Sequence, residues 1–169
     1  HFPADETHST YPICPYGVSK LTGEHYLHYY QTEHHIPYVA LRYANIYGPR
    51  QNPHGEAGVV AIFTTRLLSG EQPVINGDGK QTRDYVFVGD VARANLAALQ
   101  VDFTGPINIG TGVETDVNVL FNHLRRFTGS AAPEKHGPAK PGESRRSVLA
   151  AERAAQLLGW RPEVKIEDG

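Results

Sequence analysis

The chain has 169 residues, of which 40% are hydrophobic and 20% charged, a composition typical of a globular protein with a single core. Its formal net charge of -2 gives no electrostatic case for binding nucleic acid or an anionic membrane surface. Cys14 is the single cysteine, which excludes an internal disulfide, and no apolar run approaches the ~20 residues of a membrane helix. We therefore expect a soluble, cytoplasmic protein.

The two ends of the chain carry no start or stop signals of their own. The sequence contains no methionine and opens on His1, Phe2 and Pro3. Residues 163–169 end without a capping or tail signal. We interpret the sequence as a piece of a longer protein, cut at both ends.

The first predicted helix follows Pro15 and reaches about His34. Tyr16 and Lys20 lie four residues apart, so helical geometry puts both side chains on one face. A positive charge beside a phenol favours its ionised form, which can accept a proton from a sugar hydroxyl. The same spacing is also common in ordinary helices, in which the tyrosine packs and the lysine is solvated.

The segment after this helix predicts an α/β fold. Tyr38 to Tyr43 form a short apolar strand of the type buried in parallel sheets, and the strand follows the helix through a short connection. Residues 45–58 are rich in proline and glycine, and we expect a ligand-binding loop there, at the carboxyl end of the strand. A helix is predicted over 59–69, and strands are predicted over 73–75 and 84–88.

The rest of the chain continues the alternation of helices and strands. Asp90 is predicted to cap a helix that reaches Gln100, and Asp116 to begin another that reaches about Thr128. The remaining predictions are a strand over 106–109, a loop over 129–147 and a helix over 150–158. Gly110-x-Gly112 follows a strand, as in dinucleotide-binding turns, but the third glycine position is Thr115, so we predict no complete pyrophosphate site.

Histidines and arginines are the remaining candidates for a site. Of the nine histidines, His25 and His28 share a helical face, but no pattern supplies further ligands, so we predict no metal site. Arg42, Arg83 and Arg145 lie at strand ends or in loops, where guanidinium groups bind phosphate oxygens in pairs. Any one of them alone is more often a solvated charge.

Taken together, these motifs resemble the extended short-chain dehydrogenase/reductase family, and within it UDP-glucose 4-epimerases and related nucleotide-sugar epimerases and dehydratases. The 52–63 segment looks more like bacterial 4-epimerases than like dTDP-glucose 4,6-dehydratases. The matching segments are Pro15-Tyr16-Gly17-x-Ser19-Lys20 with Glu24, Leu41-Arg42-Tyr43-Ala44-Asn45-Ile46-Tyr47-Gly48-Pro49-Arg50, Gly77-Asp78-Gly79-x-x-x-Arg83-Asp84-Tyr85-Val86-Phe87-Val88, Asp90-Val91-Ala92, Asn108-Ile109-Gly110-Thr111-Gly112 and Pro141-Gly142-Glu143.

The resemblance implies the last elements of a doubly wound Rossmann-type parallel sheet plus a smaller α/β substrate-binding domain. Residues 1–48 would be the C-terminal part of the NAD-binding domain. Residues 49–169 would mainly bind the nucleotide sugar, with a return to the Rossmann sheet near 84–112. The family's glycine-rich NAD turn and catalytic serine or threonine have no counterpart in this sequence.

The resemblance also implies roles on the cofactor side of the site. Tyr16 would be the acid and base on the sugar 4-hydroxyl. Lys20 would bind the nicotinamide ribose and favour the ionised form of Tyr16. Tyr43 would lie beside the nicotinamide, so the implied cofactor is NAD.

On the substrate side, Asn45 would contact the diphosphate, and Val59 and Val60 would lie near the uridine. Arg83 and Arg145 would clamp the phosphates and the ribose of the nucleotide.

The implied reaction is the epimerisation of a nucleotide sugar at C4 by transient hydride transfer to NAD, in a homodimer whose subunits pair through helices that include the Tyr-x-x-x-Lys helix. We expect the 169-residue piece alone to be inactive. A 4,6-dehydratase or decarboxylase of the same family stays open as an alternative. So does a non-catalytic module that binds nucleotide sugars or self-associates.

Overall fold

The structure, a computed structural model, describes residues 1–54 and 58–169. Part of the predicted ligand-binding loop, residues 55–57, lies outside the described residues. The helices are α1 (Pro15–His34), α2 (Val59–Leu68), α3 (Val88–Ala98), α4 (Val117–Thr128) and α5 (Glu152–Leu158). The strands are β1 (Val39–Tyr43), β2 (Asn45–Tyr47), β3 (Ile75–Asn76), β4 (Thr82–Arg83), β5 (Tyr85–Phe87), β6 (Gly105–Ile109), β7 (Thr115–Asp116) and β8 (His136–Gly137).

The strands pair mostly in parallel. β1 runs parallel to β6, with Val39 opposite Gly105 and Tyr43 opposite Ile109. β2 pairs with β5 and β3 with β8, both in parallel, whereas β4 and β7 are antiparallel. Parallel strands joined through helices are the signature of an α/β fold, so the predicted fold class is confirmed.

Helix α1 begins and ends where local signals predict. Pro15 occupies the first helical position, where its missing N–H is no loss, and His35 ends the helix in the left-handed conformation with φ 55°. None of the 20 residues of α1 is buried. Glu24 ties the helix to β1, because the Arg42 guanidinium donates to its two carboxylate oxygens at 2.7 and 2.6 Å. Arg42 is therefore engaged by a carboxylate of the chain itself.

Buried side chains of the described residues form three hydrophobic clusters, and neighbouring residues of β5 belong to two of them. Val86 is fully buried in a cluster with Ile107, Ile109 and Trp160. Its neighbour Tyr85 points to the opposite face of the strand, into a second cluster. That second cluster also contains Tyr47 and Leu120, and a third contains Phe63, Leu67, Ile75, Val117 and Phe121.

Two of the sequence-based predictions for the middle of the chain are wrong. Residues 45–47, predicted as loop, form β2, because their backbone pairs with β5 and the glycine and proline run begins only at Gly48. Asp90 does not cap α3, since the helix begins at Val88 with Phe87 as its N-cap. The fully buried Asp90 carboxylate instead accepts hydrogen bonds from the N–H groups of Glu163 and Val164, at 2.9 and 3.1 Å.

Predictions for other elements are closer to the structure. Asp116 caps α4 as predicted, accepting a hydrogen bond from the Val119 N–H at 2.7 Å. The strand predicted over 73–75 begins only at Ile75, and the helix predicted over 150–158 begins only at Glu152. Strands β4, β7 and β8, of two residues each, carry no predicted counterpart.

Two kinds of feature are absent from residues 1–54 and 58–169. No helix there is long and apolar enough to cross a membrane. No group of three or more histidine, cysteine, aspartate or glutamate side chains there is arranged to hold a metal ion.

Candidate active site

Tyr16 and Lys20 lie in the first two turns of α1, on one face, as the spacing predicts. The Lys20 ammonium is 5.2 Å from the centre of the Tyr16 ring. Tyr16 is 64% exposed, so its phenol is open to a ligand that approaches α1. A phenol that is open to solvent and lies beside an ammonium group can exchange a proton with a hydroxyl group of a bound ligand.

Tyr43 ends β1 and is held in place by α3. Its hydroxyl donates a hydrogen bond to the Asn95 side-chain oxygen at 2.9 Å. Asn95 in turn donates from its amide to the Val91 carbonyl at 2.8 Å, one turn earlier in the helix. The ring of Tyr43 is therefore oriented by a chain of two hydrogen bonds, at the carboxyl end of a parallel strand, where α/β folds bind ligands.

The Gly110-x-Gly112 turn already faces an anion, the buried carboxylate of Asp84. The Thr111 N–H and hydroxyl donate to Asp84 at 2.9 and 2.6 Å, and the Gly112 N–H donates at 3.2 Å. A Cβ on Gly110 would lie 2.5 Å from the Asp84 carboxylate, which explains the glycine. This turn binds the chain to itself and does not fit a pyrophosphate, in agreement with the predicted lack of a complete pyrophosphate site.

A cavity of about 540 Å³ opens between α2 and the β2–β5 pair. Asn45, Val59 and Arg83, three of the predicted nucleotide-binding residues, line it together. Ile62 and Phe63 of α2 add an apolar wall. The remaining lining residues are Gly58, Arg66, Val74, Asn76, Gln81, Tyr85, Val117, Lys140 and Glu143.

The charged groups of this cavity favour an anionic ligand. The Arg83 guanidinium donates to Glu143 at 3.0 Å and to the Ser144 carbonyl at 2.9 Å, so the one carboxylate among the described lining residues is already paired. Arg66 and Lys140 also line the cavity, and neither forms an ion pair with a described residue. Arg66 and Lys140 are therefore available to bind an anionic group of a ligand, such as a phosphate.

Val60 and Arg145, also predicted to bind the nucleotide, border other cavities. Val60 lines a cavity of about 770 Å³ with Tyr47 and Leu124, because successive helical residues point about 100° apart. Arg145 donates to both carboxylate oxygens of Asp78, at 2.7 and 2.8 Å. That guanidinium holds the pKa of the Asp78 carboxyl well below its usual range. The role assigned to Val60 stays a prediction. The role of Arg145 is not tested by this geometry, but because its guanidinium is paired with Asp78 outside the cavity, we propose below that Lys140 takes its place at the phosphates.

Sequence reasoning missed several residues of the cavity. Lys140 could have been found from the sequence, because it directly precedes the Pro141-Gly142-Glu143 motif, which is part of the family resemblance. Gln81 is buried and donates from its amide to the Asn76 carbonyl at 3.1 Å, which closes the floor between β3 and β4. Only the fold brings these residues together with Asn45.

Known proteins resemble the chain along its whole length. A profile of the NAD dependent epimerase/dehydratase family matches residues 1–110. The putative UDP-glucose 4-epimerase of Methanocaldococcus jannaschii is 45% identical over 169 residues, which cover 100% of this chain and 55% of that protein.

Two crystal structures agree with this chain in fold. UDP-glucose 4-epimerase from Thermotoga maritima with UDP-glucose matches at a TM-score of 0.98 and 48% identity, over 100% of this chain and 55% of that one. The Thermus thermophilus UDP-glucose 4-epimerase complex with NAD matches at a TM-score of 0.91 and 42% identity, over 98% of this chain and 54% of that one.

This chain thus spans about half the length of the relatives that it matches. The family profile covers well over half of the chain, and the resemblance predicted from the sequence motifs is confirmed. The chain belongs to the NAD dependent epimerase/dehydratase family.

Proposed function

We propose that this chain supplies the acid–base group and the nucleotide site of an NAD-dependent 4-epimerase for UDP-glucose or UDP-galactose. The observation that carries the proposal is the Tyr16–Lys20 pair, held on one exposed face of α1. It occurs in a chain that is 45% identical over its length to a protein named as a putative UDP-glucose 4-epimerase.

In this proposal Tyr16 exchanges a proton with the 4-hydroxyl of the sugar. Lys20, one helical turn away, has its ammonium 5.2 Å from the centre of the Tyr16 ring and binds the ribose next to the nicotinamide. Tyr43 lies beside the nicotinamide, with its ring held by Asn95. NAD, when bound, takes a hydride from C4 of the sugar and returns it to the other face.

The nucleotide then occupies the cavity lined by Asn45, Val59 and Arg83. Asn45 contacts the diphosphate, and Val59 lies near the uridine. We propose that Lys140, which carries no carboxylate partner among the described residues, acts as the second cation beside Arg83. Arg145 orders the neighbouring turn through Asp78, next to the cavity. We also propose, as the resemblance implies, that Val60 at the start of α2 lies near the uridine.

A dehydratase or decarboxylase is the second candidate, because the family that the chain belongs to includes dehydratases. Such enzymes share the Tyr-x-x-x-Lys pair, so the pair alone does not separate them from epimerases. A non-catalytic module that binds nucleotide sugars would retain the cavity and lack turnover. We favour the epimerase, because the relatives described above are named UDP-glucose 4-epimerases.

A chimera tests the proposal. This chain would replace the matching 55% of the Thermotoga maritima relative, and conversion of UDP-glucose into UDP-galactose would be followed with NAD present. Turnover is expected in the chimera. Tyr16→Phe should lower it by about 100-fold or more, the usual contribution of a general acid–base group.

Two controls belong to this experiment. Tyr26→Phe changes a phenol of the same helix that is 63% exposed, as against 64% for Tyr16, and should retain full turnover. The 169-residue chain alone should show none, because its Gly110-x-Gly112 turn is filled by Asp84 and the glycine-rich NAD turn that the resemblance implies has no counterpart in it. Equal turnover in the two variants would overturn the role of Tyr16, and a product other than UDP-galactose would favour the second candidate.

We further propose a cytoplasmic homodimer that pairs through α1. Tyr26, Tyr29 and Tyr30 expose between 48% and 63% of their surface on this helix. Aromatic side chains are enriched at protein interfaces, which makes α1 a suitable contact surface.

A further inference from the structure

Tyr85 combines deep burial with an unsatisfied hydroxyl. The residue is 5% exposed, and its hydroxyl oxygen has no hydrogen-bond partner among the described residues. Buried polar groups are almost always paired, because an unpaired one forfeits its hydrogen bonds to water. A native tyrosine in this state therefore calls for a partner that arrives from outside the chain.

The position of Tyr85 points to the nucleotide cavity. Its side chain lines that cavity, and its register partner across the β2–β5 pair is Asn45. Residues in register on parallel strands project from the same face of the sheet, so the two side chains are neighbours. Burial raises the pKa of Tyr85 to about 12, and the charges of Arg83, Glu143 and Asp116 act on the same hydroxyl. Arg83 and Glu143 line this cavity.

Tyr85 also borders a second cavity of about 390 Å³, which is lined by Thr111, Val119, Pro162 and Val164 among others. Asn45, the register partner of Tyr85, lines the first cavity and not this one, and so do Arg83 and Glu143. The hydroxyl is therefore assigned to the cavity with Asn45.

The charges that line the cavity favour an anionic group of the ligand. In the part of the lining that the structure describes, Arg66, Arg83 and Lys140 bring three positive charges against one carboxylate, that of Glu143. A hydroxyl can donate a hydrogen bond to an anion that such a cavity holds. Two other buried atoms without partners, the side-chain oxygens of Gln51 and Asn118, can only accept hydrogen bonds and would repel an anion.

We propose that the Tyr85 hydroxyl donates a hydrogen bond to a phosphate oxygen of the nucleoside diphosphate, beside Asn45 and Arg83. This inference rests on the proposed function and adds a binding residue to it. In the unligated chain the hydroxyl carries a desolvation cost that the ligand removes on binding.

Tyr47 provides a matched control. It is 4% exposed, lies on the paired strand β2, and burial likewise raises its pKa to about 12. Its hydroxyl, however, donates to the Lys165 carbonyl at 3.3 Å and lines a different cavity. Removal of either hydroxyl leaves the ring in place, so the two variants differ in the partner of the lost group.

The test is calorimetric titration with UDP of the unmodified chain, Tyr85→Phe and Tyr47→Phe, together with urea unfolding of each without ligand. Tyr85→Phe should weaken UDP binding about 10-fold or more, the loss expected for a hydrogen bond to a charged group. Its unfolding midpoint should stay unchanged or rise, because no hydrogen bond is lost in the unligated chain. Tyr47→Phe should bind UDP normally and unfold at a lower urea concentration.

Other outcomes overturn the inference in distinguishable ways. If the unmodified chain binds UDP and Tyr85→Phe binds it equally well, the hydroxyl has no role in binding and the proposed function stands. If Tyr85→Phe unfolds more easily or fails to fold, the hydroxyl is structural. If the unmodified chain does not bind UDP at all, the nucleotide site in the proposed function fails together with the inference.

Discussion

At the scale of single residues, two buried carboxylates hold distant parts of the chain together. Asp84 accepts hydrogen bonds from Thr111, Gly112 and Leu149, and Asp90 accepts them from Glu163 and Val164. Each carboxylate accepts hydrogen bonds from several N–H groups inside the core. These hydrogen bonds offset the free-energy cost of burying a charge. The ends of β5 and α3 are thereby fixed to segments that come later in the chain.

Asp84→Asn tests the value of this arrangement. The amide of asparagine places an N–H group where one carboxylate oxygen accepted hydrogen bonds, so some of the buried donors around residue 84 lose their acceptor. We therefore expect the free energy of unfolding to fall by about 2–4 kcal/mol. Urea denaturation measures the loss. Asp78→Asn is the control, because it removes an exposed carboxylate whose main partner is Arg145 and should have a much smaller effect. Equal losses in the two variants would contradict the role given to Asp84.

The sequence predicts some of these residues and not others, for a physical reason. Asp116 is predictable as an N-cap because its partner, the Val119 N–H, lies three residues away and the pattern is local. Asp90 satisfies the same local pattern, yet its carboxylate meets groups more than 70 residues later in the chain. A contact of that range is decided by the packing of α3 against the C-terminal segment, which no local pattern encodes.

At the scale of elements, α1 differs from the other helices in its lack of burial. Its ends are predictable from Pro15 and Pro37, and it runs from Pro15 to His34 as predicted. Among the ion pairs of residues 1–54 and 58–169, the one that involves α1 joins Glu24 to Arg42 of β1, at 2.6 Å. A helix of 20 residues with no buried side chain gains little stability from packing, which makes a partner surface on α1 a physical expectation.

The homodimer that we propose gives this expectation a test. Tyr26→Asp places a charge on the exposed face of α1, and we expect it to convert a dimer into a monomer in analytical ultracentrifugation. Burial of an unpaired charge in an apolar interface is costly, which is the reason for the shift. Tyr11→Asp changes a residue that is 90% exposed and lies outside α1, and it should leave the dimer intact. A monomer from the unmodified chain at high concentration would refute the pairing.

At the scale of the whole molecule, the nucleotide cavity collects residues from segments far apart in sequence. Asn45 belongs to β2, Val59 begins α2, Arg83 ends β4, and Lys140 lies between β8 and α5. The family resemblance identifies the first three through their motifs. It assigns a role to Arg145 and none to Lys140, although both follow β8 in a loop whose path depends on the pairing of β3 with β8.

A calorimetric comparison of two charge variants shows whether this cavity binds the nucleotide of a nucleotide sugar. UDP would be titrated into the unmodified chain and into Lys140→Gln and Arg145→Gln, which remove equal charges from the same loop. Lys140→Gln should bind UDP about 10-fold more weakly, because the lost ammonium faces the cavity. Arg145→Gln should stay within about twofold of the unmodified chain, because its guanidinium is held by Asp78. A large loss with Arg145→Gln and none with Lys140→Gln would contradict the account, as would a chain that does not bind UDP.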